Sequence, residues 1–287
     1  MPRAAPRSSL HRFPPRLRAR VQSVFSLGAV LGGVLELAAG DVLAEWVGWR
    51  HSFMLVGLPG VLIGRAILRL PVPTSKPPKE THPSWALLKI PTHDAVLAGG
   101  LLVSFSSAVF ISWSPTFITR YHHMSIGRAS GLLAPLVLVS SAVGVLVGGY
   151  LADRLQEDWP WGRALIVGAA ILLATPFLYV AVQAESMIVF FACIFVATGS
   201  LAPYFGPTTA IIHDLTPRHA HAFAFGVYMF AIHFFGDAMA LAAVGFLSDA
   251  FGLRRGLLLG VAANFVSALC FLAAVWLIRR RPASRSS

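Results

Sequence analysis

Long apolar stretches alternate with short clusters of Arg, Pro, Asp and Gly along the whole chain. A stretch of about 18 residues, rising 1.5 Å per residue as a helix, crosses most of a hydrocarbon core of roughly 30 Å. Eight stretches reach that length: Val24 to Leu43, Phe53 to Leu70, Ala95 to Phe117, Gly131 to Leu151, Ala164 to Val182, Met187 to Ile212, Ala222 to Leu247 and Gly256 to Leu277. Membrane barrels need short segments of alternating polarity, which these are not. The pattern predicts an all-α polytopic membrane protein with eight transmembrane helices.

Composition agrees and narrows the choice. With 56% hydrophobic and 12% charged residues and a mean hydropathy of +0.71, the chain lies outside the range of water-soluble enzymes. Its net charge of +11 could suggest nucleic acid. The basic residues, however, fall between the apolar runs, where inward-facing loops carry Lys and Arg, so no nucleic-acid partner is expected. An even number of spans puts both termini on one side. That side would hold seventeen Lys and Arg and the other five, with Arg65 inside a span. The bias predicts a cell (inner) membrane protein with both termini cytoplasmic and membrane lipid as its surroundings. Residues 1–20 are basic and free of acid, as in a targeting segment, but Pro2, Pro6, Pro14 and Pro15 oppose an amphipathic transit helix. Cys193 and Cys270 both lie in apolar runs and read as small buried hydrophobes, with no disulfide, metal or cofactor role expected.

The chain contains an internal repeat. Leu43, Ala44, Glu45, Trp46, Val47, Gly48, Trp49, Arg50 matches Leu247, Ser248, Asp249, Ala250, Phe251, Gly252, Leu253, Arg254 in residue class at nearly every place, an offset of 249 − 45 = 204. Upstream, Phe13, Pro14, Pro15, Arg16 resembles Leu215, Thr216, Pro217, Arg218. The first two spans are therefore equivalent to the last two. A second repeat starting at Ala95 implies a first one starting about 110 residues before Met1, so the pattern is that of helices five to twelve of twelve, in two six-helix halves. The expected organisation is a basic N-terminal segment (1–20), the last two helices of the N-terminal half (21–70), a Pro- and Lys-rich cytoplasmic linker (71–94), a six-helix C-terminal half (95–278) and a basic tail (279–287). The first four helices, or another chain, would be the protein partner.

Twelve helices in two halves resemble the major facilitator superfamily, and local motifs strengthen the resemblance. Gly149, Tyr150, Leu151, Ala152, Asp153, Arg154, followed by Gly162 and Arg163, look like its cytoplasmic G-x-L-A-D-R signature. Asp153 could accept from the N-terminus of the next helix, from Arg154 or from Arg163, forming a charge-assisted latch; an ordinary solvated turn is the plainer reading. Within the superfamily the chain most resembles spinster-like transporters, through Phe205, Gly206, Pro207, Asp214, Leu215, Thr216, Pro217, then His233, Phe234, Phe235, Gly236, Asp237, then Gly245 to Asp249, and through Trp113, Ser114, Pro115, Thr116, Phe117. The resemblance implies alternating-access secondary transport of a small organic or amphipathic solute, with protons as a candidate coupling ion. Eukaryotic members are associated with lysophospholipid and sphingolipid movement, which makes a lysolipid one candidate.

An ionisable group at membrane depth is a functional candidate, because placing it there costs about 2.5–3.5 kcal/mol even on a lenient insertion scale. Glu36 and Asp237 lie near mid-span, at similar depth in repeat-related helices. His233 and Asp237 are spaced i, i+4 and share a helix face, so the pair could relay protons; a structural polar contact is the alternative. Trp113 and Tyr204, among serines of the third span and prolines of the sixth, are candidate lining residues for the pathway. Arg65 is expected to snorkel to the interface. An intramembrane enzyme using His213 with Asp214, or His233 with Asp237, would lack a nucleophile, a metal triad and a phosphate loop. The competing reading from another class is a transport-incompetent membrane fragment with a structural or partner-binding role.

Overall fold

The computed structural model describes Gly32 and residues 43–69, 90–217 and 220–280. They form helices: α1 (Trp49–Ile67), α2 (Pro91–His122), α3 (Ile126–Asp158), α4 (Gly162–Gln183), α5 (Met187–Leu215), α6 (His221–Phe251) and α7 (Leu253–Arg279). The six from α2 to α7 are long and apolar enough to cross a membrane. They coincide with the six C-terminal spans read from the sequence. Helix α1 covers residues 53–67 of the second predicted span, and most of the first lies outside the described residues.

Helix ends follow local chemistry. Pro91 opens α2, where a missing N–H is harmless, so the helix starts inside the segment assigned to the linker. It ends at His123, which takes up the left-handed conformation at φ 54°. Ser125 then caps α3 by accepting from the Arg128 amide. Two spans depart from regular α-helix. Ala202–Tyr204 forms a 3-10 turn within α5, at Pro203, and Ile232–Ala238 forms a π turn within α6.

Helices α2 to α7 enclose one core, in which Val103, Phe117, Ile171, Leu178 and Phe271 are fully buried. Helix α7 packs chiefly on α2 and α4. Lipid tails are as apolar as these side chains, so association rests on close packing and polar contacts between helices. Asn264 Nδ2 donates to the Ile171 carbonyl at 2.9 Å and to Thr175 Oγ1 at 3.0 Å, joining α7 to α4. Ser267 donates to the Gly99 carbonyl at 2.6 Å, joining α7 to α2. Gly144 lets α3 meet α5 backbone to backbone, because a Cβ there would overlap the Gly199 carbonyl. The Gly60 and Gly64 pair of α1 meets no described residue. Phe53, Met54, Leu58 and Ile63 of the same helix are exposed.

Candidate functional site

The π turn carries both His233 and Asp237. A wide turn leaves backbone groups irregularly paired and is tolerated where neighbouring elements support it. Gly236 is that support: a Cβ on it would come within 3.0 Å of Ser104 Cβ and 3.1 Å of the Leu101 carbonyl, so α6 lies directly against α2 here. The next residue, Asp237, accepts a short hydrogen bond from Ser104 Oγ through Oδ1. Its other oxygen, Oδ2, lies 2.7 Å from His233 Nδ1. The carboxylate is thus held from two helices, with Asp237 39% and His233 66% exposed.

Both residues line a half-open cavity of about 420 Å³ between α2, α3, α5 and α6. Tyr204 lines it from the 3-10 turn of α5, beside Phe205. Hydroxyls from Ser107, Ser112, Ser141 and Thr198 complete a mixed polar and aromatic wall. Among the described residues, the lining contains no Lys or Arg. Three of the pathway candidates, Asp237, His233 and Tyr204, therefore share one space. Trp113 does not line it: the indole packs toward Gly245 of α6, and its Nε1 is buried with no partner among the described residues. Glu36 lies outside the described residues. Ser104 was legible only as one of several serines, because its partner is 133 residues away.

The second cluster lies at one end of the helices, around the turn between α3 and α4. Arg163 is its centre. Its guanidinium reaches Asp153 Oδ1 at 3.3 Å and Asp214 Oδ2 at 3.0 Å, joining the α3–α4 turn to the end of α5. The Arg163 amide, in the first turn of α4, donates to Gln156 Oε1 at 3.2 Å, so Gln156 rather than Asp153 caps that helix. Arg154 turns away and donates to the Tyr150 hydroxyl at 2.9 Å. Of the partners considered for Asp153, the structure pairs it with Arg163. Asp214 went unrecognised as a latch residue; the only sign was its place in the Asp-Leu-Thr-Pro run. Gly149 faces open space, whereas Gly162 is required by close approach, since a Cβ would lie 2.5 Å from the Leu155 carbonyl. The neighbouring His213 stacks on His221 with ring centroids 4.7 Å apart.

A third contact ties the segment before α1 to the six-helix unit. Glu45 Oε1 accepts from the Gly127 amide at 2.7 Å. Gly127 is the second residue of α3, so the carboxylate sits on the positive end of a helix and satisfies an amide that has no partner within it.

A six-helix bundle with a salt-bridge cluster at the α3–α4 turn and a largely apolar cavity that carries Asp237 and His233 can be compared with known proteins. The sequence profile described as Major Facilitator Superfamily matches residues 4–236. The chain belongs to the major facilitator superfamily. It is an integral membrane protein of a transporter family, not of an enzyme family, and its fold is a partial major facilitator fold. Among individual relatives, an MFS-type efflux pump of Mycolicibacterium smegmatis is 29% identical over an alignment of 286 positions that covers 94% of this chain and 65% of the pump. Spinster homolog 1 of Xenopus tropicalis is 24% identical over 81% of this chain and 49% of its own length. The crystal structure of a bacterial homolog of the human lysosomal transporter Spinster, inward-facing and unoccupied, superposes with a TM-score of 0.75 at 20% identity, covering 93% of this chain and 73% of that one. The chain is thus similar to Spinster proteins in sequence and in fold, and it spans less than two thirds of the length of these two sequence relatives.

Proposed function

We propose that this chain supplies the C-terminal half, and the last two helices of the N-terminal half, of a secondary transporter that moves a small organic or amphipathic solute by alternating access. The observation that carries this reading is Asp237, a carboxylate held at mid-depth by Ser104 and His233 on the wall of a cavity large enough for a small solute. A carboxylate in hydrocarbon surroundings that only stabilised the bundle would be expected to be closed off; this one opens into a space. Its acid–base pairing with His233 supports proton exchange during transport. The Arg163 bridge to Asp153 and Asp214 would fasten the cytoplasmic ends of α3, α4 and α5, so that the half moves as one body. The charge bias supports a cytoplasmic position for that bridge, the linker and both termini.

The test is Asp237→Asn in a twelve-helix form of the protein reconstituted with a proton gradient. Asn retains size and hydrogen bonding but cannot carry charge. The expected result is loss of gradient-coupled flux with insertion and expression nearly unchanged. Transport with unaltered pH dependence would make Asp237 a structural residue and remove the ground for this reading.

A further inference from the structure

Helix α7 has 27 residues and is therefore about 40 Å long, more than a hydrocarbon core of roughly 30 Å. Its last turn stands in the headgroup layer. That turn carries Arg279, the next residue is Arg280, and the sequence continues through Arg281 and Arg285 with no acidic residue after Asp249. Three indoles accompany them. Trp159 and Trp161, from the α3–α4 turn, stack with centroids 4.8 Å apart and planes 3° from parallel. Arg279 Cζ lies 5.1 Å over the Trp161 ring, which joins the end of α7 to the residue that precedes α4. Arg280 Cζ lies 3.6 Å over the ring of Trp276, one turn back on α7.

A guanidinium laid on an indole gives its face to the ring and keeps its N–H donors, which lie in its plane, for acceptors. The stack also limits the side-chain freedom that a solvated arginine would lose on binding. Two such groups on consecutive residues at headgroup depth suit the oxygens of a phosphodiester. Leu269, Ala273 and Trp276 share one exposed face of α7 with Arg280, an apolar track for an acyl chain. Glu157 and Asp158, just before Trp159, are exposed acids that offset the general attraction of this end for anions. Selectivity therefore falls to the stacked guanidiniums rather than to net charge.

We infer that the end of α7 and the α3–α4 turn form a binding site for an anionic phospholipid, whose phosphodiester sits on Arg279 and Arg280 beside the indoles and whose chains run along α7. A run of arginines just outside a span draws such lipids by charge alone. The indole stack adds a fixed orientation at the interface, which a diffuse basic tail lacks. The charge bias supports a position in the cytoplasmic leaflet. The site is separate from the cavity at Asp237 and does not depend on whether the chain transports.

The test is retention of phosphatidylglycerol against phosphatidylcholine of the same acyl chains, read by native mass spectrometry of the 287-residue chain released from micelles that hold both lipids in equal amounts. The parent is expected to retain the anionic lipid over the zwitterionic one by about fivefold or more, and the double variant Arg279→Ala, Arg280→Ala should bring the ratio to about one. Trp161→Leu leaves every charge in place and should still lower the ratio about twofold. Arg279→Lys should lower it as well, because an ammonium has no planar fork. Arg255→Ala, in the first turn of α7 at its opposite end, should leave it unchanged. Each variant is checked for the parent's helical circular dichroism and thermal transition, and Arg279→Gln with Arg280→Gln replaces the double alanine variant if that fails to fold. Equal retention of the two lipids by the parent, or a ratio indifferent to the double variant, would overturn the site. A ratio that falls with the arginines but ignores Trp161→Leu would reduce it to diffuse attraction by the basic tail and overturn the assignment too. Displacement of phosphatidylglycerol by inorganic phosphate, beyond that produced by chloride at the same ionic strength, would make this a site for a free anion instead of a lipid.

Discussion

Gly48 and Gly252, 252 − 48 = 204 positions apart, share one backbone conformation: φ 79°, ψ 153° at the first and φ 88°, ψ 152° at the second. Each joins the end of one helix to the first residue of the next, Trp49 or Leu253. This region of backbone space is open essentially to glycine alone. The sequence repeat is thus a repeat of geometry, and it puts Glu45 and Asp249 at the same register three residues before the turn. Glu45 caps α3; Asp249 is exposed, with no polar partner among the described residues.

The shared turn gives the first prediction. A Cβ on Gly252 would meet nothing within 4 Å, so Gly252→Ala isolates the backbone penalty. The expected loss is about 1–3 kcal/mol, read as a lower thermal midpoint of the chain in detergent. Gly149→Ala is the control, because Gly149 also faces open space but lies inside a helix at ordinary dihedrals. It should be neutral or slightly stabilising. Equal effects at the two positions would contradict the argument.

The second concerns Arg163. Its two carboxylate partners are largely exposed, so Arg163→Ala should change global stability by less than about 1 kcal/mol. What it should change is local: amide exchange around 153–163 and at the end of α5 should speed up, since one side chain joins both. Arg163→Lys, a point charge without the planar fork, should restore only part of the protection. Unchanged exchange in both variants would show that the bridge fastens nothing.

Topology can be checked by labelling. Cysteine at Thr74 should be protected from an impermeant thiol reagent in intact cells, and cysteine at Ser125, the cap of α3, should react. The reverse pattern would turn the protein over in the membrane and place the Arg163 bridge outside.

A fourth prediction separates binding from movement. The cavity is half open, and α1 leaves its apolar side chains uncovered by described residues. The 287-residue chain reconstituted alone should insert without driving saturable, gradient-dependent flux, which needs two halves moving around the site. Robust flux from this chain by itself, assayed in liposomes with candidate amphiphiles, lysolipids first, would show that it contains a complete transport pathway.

The sequence by itself determined the six C-terminal spans, the helical class, the glycine turns and their repeat. These are one-dimensional properties: a span is a length of apolar chain, and a repeat is an offset. The i, i+4 spacing that joins His233 to Asp237 is of the same kind, because one helical turn brings the two together whatever surrounds them. Only the tertiary structure decided which faces meet. Ser104 finds Asp237 across 133 residues, Arg163 finds Asp214 across 51, and Trp113 points out of the cavity that Tyr204 enters. In a water-soluble bundle a polar stripe on each helix would have shown which side faces inward. Here the helices are apolar around most of their circumference, since lipid and core ask for the same residues. The few polar side chains that choose the inward face are therefore identified by contacts between distant helices.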